Sequence, residues 1–376
     1  MLPAISRYSV NWQDGMKIKS GHFVALEGSL DERMRNSLKI CLDRYSYGLL
    51  PPDPESVSEF KLTCDIVPGN QIKVILLECR AVTAGGLVIE RKEEEHRIPG
   101  LVWIDKIYPL GQNSEKTMAM LDVIVSVDRL SRMPIGDPDP KESPPRQPSV
   151  SPKYILKINP SGTPYNNSDE LKIAEIVIEN GIPKISEHYI PPCATVNCYS
   201  PLFTLYNDFR NRLELVEENC ISVAQKLRSG TAPEGADSGD DLHSNLQLFA
   251  EQVLFFLSGN FEWYRRIVPS SSPLFMVEFF VHLARVINTA LKVMEPGIRD
   301  ILLNYFRQLG LGFEPGSFVN ALNETLANDY NHVDVRSNFA SIHGFFDPLV
   351  KLFEILAKRR FIDIRRRIIS GFKEIA

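Results

Sequence analysis

The clearest pattern in the chain is a run of apolar residues in its second half, at alternating intervals of four and three. The run comprises Leu202, Tyr206, Phe209, Leu213, Val216, Cys220, Val223 and Leu227. A repeat of this period keeps the side chains on one face of a helix that packs along a partner helix. We call this face the seam. The pattern leaves open whether the partner helix belongs to the same chain, in a self-contained bundle, or to a second copy.

The residues before the seam alternate between apolar and polar with the period of half-buried β-strands. Phe60, Leu62, Cys64 and Ile66 form one such run, and Ala119, Leu121, Val123, Val125 and Val127 share a face in another. Turn signals such as Pro68-Gly69-Asn70 separate the earlier runs. Short strands divided in this way predict an antiparallel β-sandwich.

Two further segments belong to this first half. A helix is predicted near 22–49, because Leu30, Met34, Leu38, Cys41 and Leu42 line one of its faces. Residues 134–152 contain seven prolines and are predicted to form an extended, semi-rigid loop. We expect this loop to cover the sandwich; a weaker alternative is that Pro144-Pro145-Arg146-Gln147-Pro148 binds an aromatic groove.

After the seam nearly every residue fits a helical period. Residues 275–294 are apolar almost all round, which predicts a central buried helix in which His282 is hydrogen-bonded. The last helix is predicted from about 345 to the end of the sequence. The whole pattern therefore predicts an α+β fold in three parts: an arm at 1–20, a sandwich domain at 21–198 and a helical bundle at 199–376.

Composition narrows the class of protein. The net charge of −5 over 376 residues argues against a chain built to bind nucleic acid. The start of the sequence lacks the basic and apolar regions of a signal peptide, and no window of about 18 consecutive apolar residues occurs. The six cysteines are scattered through apolar patterns, so a reducing cytoplasm is the simplest compartment.

Catalytic chemistry leaves no recognisable trace in the sequence. We find no glycine-rich nucleotide loop, no nucleophile elbow and no helix-borne zinc motif. Cys193 and Cys198 lie five apart with no second pair at zinc-finger spacing, so structural thiols are favoured over a metal site. We therefore predict no catalytic residues, no cofactor and no metal. The absence of these motifs favours a binding or assembly protein, and an enzyme with an unrecognised site is the alternative.

A series of short motifs nevertheless resembles one known family. The motifs are Trp12-x-Asp14-Gly15-Met16, His22-Phe23, Arg132-Met133-Pro134-Ile135-Gly136-Asp137-Pro138-Asp139-Pro140, Pro144-Pro145-Arg146-Gln147-Pro148 and Tyr189-Ile190-Pro191-Pro192-Cys193. In this order, directly before a helical half, they resemble the TssK family, baseplate subunits of the type VI secretion system. The resemblance covers roughly 8–230, and beyond that only the architecture agrees.

The resemblance implies a structural protein of a contractile injection system. TssK proteins are trimers: a β-sandwich shoulder similar to that of phage receptor-binding proteins docks onto the TssF–TssG wedge, and a helical neck trimerises. A C-terminal head contacts the membrane complex. The seam would then be the oligomer seam, and the wedge side would include Trp12, Asp14, Gly15, Met16, His22 and Phe23. From the residues alone, Trp12 and Met16 either pack on their own sandwich or anchor a partner.

At the C-terminal end we find no segment that is predicted to form a separate mixed α/β head, so we expect the chain to differ from the family there. In its place, Arg359, Arg360, Arg366 and Arg367 belong to a basic final segment. This segment is a solvated face, a docking surface for an acidic membrane-anchor partner, or a contact for anionic lipid. We expect an adaptor in the cytoplasm, peripheral to the inner membrane; a phage-tail-like receptor-binding or adaptor protein is the alternative.

Overall fold

The chain divides into two compact units in the computed structural model. The structure describes residues 6–52, 60–99, 101, 104–110, 119–166, 168–229, 237–309 and 314–359. The first unit is Met1–Ser200 together with His332–Val335, and the second is Pro201–Asn331 with Arg336–Ala376. The division after Ser200 lies close to the predicted boundary, whereas the four-residue segment His332–Val335 has no counterpart in the sequence prediction.

The first unit contains one long helix and two antiparallel sheets. Its elements are α1 (Ser20–Cys41), β1 (Gly48–Leu49), β2 (Lys61–Val67), β3 (Gln71–Val82), β4 (Val88–Arg91), β5 (Ile104–Pro109), β6 (Ala119–Ile135), β7 (Ser149–Pro160), β8 (Glu170–Glu179) and β9 (Ile182–Ile185). In the first sheet β3 pairs with β1, β2, β4 and β5, and the second sheet has the order β7-β6-β8-β9. Antiparallel sheets followed by helices confirm the predicted fold class.

Alternation along the strands explains where the core of this unit lies. Ile72, Val74 and Leu76 of β3 are buried while their neighbours are partly exposed. Val123 and Val125 are buried on β6. The proline-rich loop is shorter than predicted, because β6 continues to Ile135 and β7 already begins at Ser149. Strand pairing between Pro134 and Val150 accounts for this difference.

Helix α1 forms where the sequence predicted one, but its apolar face is not covered. Gly28 and Ser29 are its buried residues. Leu30, Met34 and Leu38, which the periodicity placed on one face, are exposed. The helical period therefore predicted the helix correctly. It specifies which side chains share a face of the helix, but not what packs on that face.

The second unit is helical in its described residues. Its helices are α2 (Ser200–Ser229, beginning one residue before the unit), α3 (Asp237–Arg266), α4 (Pro273–Val293), α5 (Pro296–Gln308), α6 (Pro315–Ala327) and α7 (Ala340–Lys358). Proline begins α4, α5 and α6, where its fixed φ suits the first helical position and its missing N–H costs nothing. The Ser272 hydroxyl also caps α4 by accepting a bond of 3.4 Å from the N–H of Leu274.

Helix α4 is the most apolar of these helices. By length and composition Pro273–Val293 could cross a membrane, and half of its most apolar window is buried inside the protein. The buried residues include Phe280, Leu283 and Ile287, as expected for a core helix. His282 does not follow the prediction of a hydrogen-bonded core histidine: its side chain is mostly exposed, with Nε2 3.9 Å from the Glu278 carboxylate.

Candidate interaction surfaces

The seam lies inside the helical unit. All eight of its side chains are buried within a single chain, from Leu202 to Leu227. Of the two alternatives that the heptad pattern left open, the structure has the self-contained bundle. Side chains that are already covered by their own chain are not available to a second copy, so a trimer requires contacts elsewhere.

Aromatic rings provide much of the seam's covering. The ring centroid of Phe209 lies 4.6 Å from that of Phe280 on α4 and 5.8 Å from that of Phe346 on α7. Tyr206 stacks on Tyr264 of α3 at 5.2 Å. Offset and tilted ring pairs at these separations add to the free energy gained by burial. The seam thus organises helices from three parts of the same unit.

Other apolar side chains on this unit remain exposed. On α3 these include Leu248, Phe255 and Trp263, and the ring of Trp263 lies edge-on to exposed Phe275 of α4 at 6.1 Å. Gly259 lies between Phe255 and Trp263, and nothing stands within 4 Å of where a Cβ would be. We call Leu248, Phe255, Trp263 and Phe275 the α3 patch. Clustered exposed aromatic residues are typical of protein interfaces.

The arm residues predicted for the wedge side come together at the start of α1. The ring of Trp12 lies 6.0 Å from that of His22 and 6.3 Å from that of Phe23. Trp12 is 46% exposed and Phe23 is also exposed. Trp12 therefore packs on the N-terminal turn of α1, which was not among the alternatives predicted from the sequence. About half of its surface stays exposed.

Backbone geometry fixes this arrangement. Asp14 and Gly15 form the turn that reverses the arm, with Gly15 at a φ of +78° that side-chain-bearing residues rarely adopt. Met16, which is half-buried, closes the turn by donating its N–H to the carbonyl of Gln13 at 3.2 Å. His22 accepts a hydrogen bond from the N–H of Lys19 at 3.3 Å through Nδ1, which caps α1.

The start of the arm is tied further along the same helix. The Glu32 carboxylate accepts hydrogen bonds from the N–H and hydroxyl of Ser6 at 3.0 and 2.7 Å, and from the N–H of Arg7 at 2.7 Å. These bonds, with the Ser6 hydroxyl first, lower the pKa of Glu32. Arg33 also donates to the hydroxyl of Ser9 at 2.9 Å. The arm is thus held along α1 instead of projecting freely.

A cleft of about 630 Å³ opens between α1 and the sheets. Its apolar lining comprises Val24, Met34, Leu38, Leu87, Val88, Val127 and Val150. Arg132 and Glu27 form an ion pair at its rim, and Arg35 bonds Asp169 at 2.8 Å. The exposed face of α1 and the sheet therefore share one open apolar surface within the first unit.

The basic segment at the C-terminal end is only partly described. Arg359 follows α7, and its carbonyl accepts a hydrogen bond of 2.8 Å from Lys226 Nζ. A lysine that donates to the last carbonyls of a helix also balances the negative end of the helix dipole. Arg360, Arg366 and Arg367 lie outside the described residues.

Groups with possible chemistry are buried and paired. Lys172 Nζ lies 2.8 Å from Asp122 Oδ1, 3.0 Å from Glu175 Oε1 and 4.3 Å from the ring centre of Tyr189. This is the arrangement of a structural ion pair, because the buried ammonium faces opposite charges. Over the described parts of the chain, no group of three His, Cys, Asp or Glu residues could hold a metal ion.

The two cysteines at 193 and 198 lie close together as free thiols. Cys193 and Cys198 are free and buried, and the Cys193 thiol donates to the carbonyl of Pro191 at 3.3 Å. Burial raises the pKa of the Cys193 thiol well above its usual value. A thiol kept protonated in this way is a poor nucleophile and a poor metal ligand.

Two antiparallel sheets followed by a helical unit make this an α+β protein, the fold class that the sequence predicted. No family model and no curated protein matches the chain. Among solved structures it is similar to TssK. A crystal structure of TssK has a TM-score of 0.48 at 14% identity, covering 93% of this chain and 69% of that one.

Two further similar structures are known. TssK from the type VI secretion system of EAEC, in complex with a nanobody, has a TM-score of 0.44 at 13% identity, over 88% of this chain and 98% of that one. A cryo-electron microscopy structure of the TssK-TssF-TssG baseplate subcomplex gives 0.40 at 12% identity, over 94% and 99%. At these identities the similarity between the chains is one of fold.

Proposed function

We propose that this chain is a structural baseplate subunit of a type VI secretion system. The observation that carries the proposal is the ordered series of TssK-like motifs from Trp12 to Cys193, placed before a helical half. The described fold is consistent with that order, since the motifs lie in the first unit and the helices form the second. The protein would act through its surfaces, without catalysis, in the cytoplasm and peripheral to the inner membrane.

In this proposal the arm binds the TssF–TssG wedge. Trp12 and Phe23 present large, partly exposed rings on a segment that the Gly15 turn and Glu32 hold in place. Tyr8 and Ile18 of the arm are also exposed. A pre-ordered aromatic anchor loses little conformational entropy on binding, which is why tryptophan is frequent among residues that dominate interfaces.

Co-purification tests the wedge contact. Replacing Trp12 by alanine should reduce capture of TssF–TssG by at least about tenfold, the effect of losing one anchor worth about 2 kcal/mol. The control is Ile66→Ala, which shortens an exposed apolar residue on β2. If a folded Trp12→Ala protein captures TssF–TssG as well as the wild type does, the arm is not part of the interface. The proposal that the arm binds the wedge would then be wrong.

We assign trimerisation to the α3 patch, because the seam is buried. Phe255 is 62% exposed on α3, and Trp263 of the same helix forms an exposed ring pair with Phe275 of α4. Light scattering behind gel filtration should give three times the chain mass of 42.6 kDa. Phe255→Glu with Trp263→Glu should reduce that mass, whereas Val293→Glu, on the exposed end of α4, should not. A wild-type monomer, or an unchanged mass in the double variant, contradicts the assignment.

The basic C-terminal segment is proposed to bind an acidic membrane-anchor protein. Reversal of Arg359, Arg360, Arg366 and Arg367 to Glu should abolish capture of the partner at low salt, because attraction between exposed charges acts within a Debye length of about 10 Å. Reversal of Arg285 and Lys292, both exposed on α4, is the control. If the reversed variant still captures the partner, the segment is only a solvated face. If the variant loses binding to anionic vesicles but keeps the partner, the segment is a lipid contact.

A further inference from the structure

Four residues between α6 and α7 belong to the first unit, although the helices on either side belong to the second. We call His332–Val335 the strap. The chain accordingly passes between the units after Ser200, before His332 and after Val335. The strap therefore gives the first unit two covalent links to the helices, besides the one at Ser200.

The first residue of the strap is bound through its ring. His332 Nε2 lies 2.8 Å from the carbonyl oxygen of Tyr47, and the two rings meet edge to face at 4.6 Å. The ring of Tyr45 adds a second contact at 6.1 Å. His332 is only 5% exposed. The imidazole is thus enclosed by the aromatic residues that lead into β1.

The rest of the strap is held by backbone groups. The Tyr189 hydroxyl donates to the carbonyl of Val333 at 2.8 Å, and the N–H of Val335 donates to the carbonyl of Ile190 at 3.0 Å. Val335 is completely buried. The His332 imidazole and hydrogen bonds of the Val333 and Val335 backbone therefore bind the strap to the first unit.

The electrostatic surroundings favour a neutral imidazole. Burial is the largest influence on the pKa of His332 and lowers it from the usual 6.5; the bond to Tyr47 and the charge of Asp43 oppose it less strongly. Arg44 stacks on the ring of Tyr45 at 5.6 Å. Tyr189, which binds the Val333 carbonyl, also faces the Lys172 ammonium, and Asp122, Glu175, Asp334 and the Tyr165 phenol are close enough to act on it.

We propose that the strap is a pH-sensitive catch, held in the first unit while His332 is neutral and released when His332 binds a proton. The sign follows from linkage. Because the docked state has the lower pKa, docking is strongest above the pKa of the released histidine and weakens as the pH falls through 6.5 towards the docked value.

Hydrogen–deuterium exchange tests this proposal on the whole chain. The reporter is a peptide covering 330–338, which contains the bonded amide of Val335, and the control is a peptide covering 72–79 in the core of β3. After correction for intrinsic exchange, opening at the reporter should rise by up to about tenfold between about pH 7.5 and about pH 5.5, while the control stays constant.

Two variants make the result decisive. His332→Gln keeps a donor for the Tyr47 carbonyl but cannot titrate, so its reporter should show no pH dependence. His343→Gln, which removes a half-exposed histidine on α7, should retain the wild-type response. A wild-type change below about twofold, or the same change in His332→Gln, overturns the proposal. If His332→Gln fails to fold, the pKa of His332 measured by NMR in the wild type decides: a value of 6.5 or above overturns it.

Discussion

Replacing Leu213 by alanine tests whether the seam is an internal core or a contact with another copy. Leu213 is completely buried, and Leu215, two positions along the same helix, is 39% exposed. Removing a fully buried leucine side chain costs about 2–5 kcal/mol, because the lost transfer free energy is joined by the cost of a cavity. At Leu215 we expect about 1 kcal/mol or less, since water can fill the space. The matched pair has nearly identical helix propensity, so burial is the main difference.

The assay combines stability with mass. In guanidinium unfolding followed by far-ultraviolet circular dichroism, the free energy of unfolding of Leu213→Ala should be well below that of the wild type and of Leu215→Ala. The expected loss is a large share of the about 5–15 kcal/mol that stabilises most domains. Light scattering below the transition should give the wild-type molar mass for both variants. Two results would refute the reasoning: equal costs at the two positions, or a lower mass for Leu213→Ala with intact helical structure and stability.

Two further pairs of variants test the first unit by the same unfolding assay. Gly48→Ala should cost about 2–4 kcal/mol, because its φ is +115° and a Cβ would lie 2.1 Å from the carbonyl oxygen of Pro192; Gly162→Ala, with positive φ but nothing within 4 Å, should cost only about 1 kcal/mol. Lys172→Met should cost about 3–5 kcal/mol by leaving buried Asp122 and partly buried Glu175 without a cation, against less than about 1 kcal/mol for Lys157→Met in a more exposed pair. Equal losses within either pair would contradict these explanations.

The seam shows how far periodicity reaches. Its spacing correctly predicted a long helix with one buried face, which the structure has as Ser200–Ser229. The same spacing serves a helix of the same chain and one of another chain, since knobs and holes are geometrically alike in both. Only the arrangement of α3, α4 and α7 decided that the rings covering Phe209 and Tyr206 come from this chain.

Helix α1 and the arm show the complementary limit. The pattern of Leu30, Met34 and Leu38 predicted a helix, and one formed, but the structure leaves those residues exposed. Motif resemblance singled out Trp12 and His22 without predicting that their rings would pack on each other. Short spacings define which side chains share a face; contacts between separate segments depend on turns and strand pairings elsewhere in the chain.

The sequence by itself determined the types and order of the elements, strands before helices, because each depends on residues within a few positions of one another. Tertiary structure alone decided which apolar faces are covered, which remain open, and that the strap belongs to the first unit. His332 and Tyr47 are 285 positions apart, and no local period relates them. Such a contact depends on how distant segments are brought together, so the surroundings of the imidazole could not be predicted from the sequence.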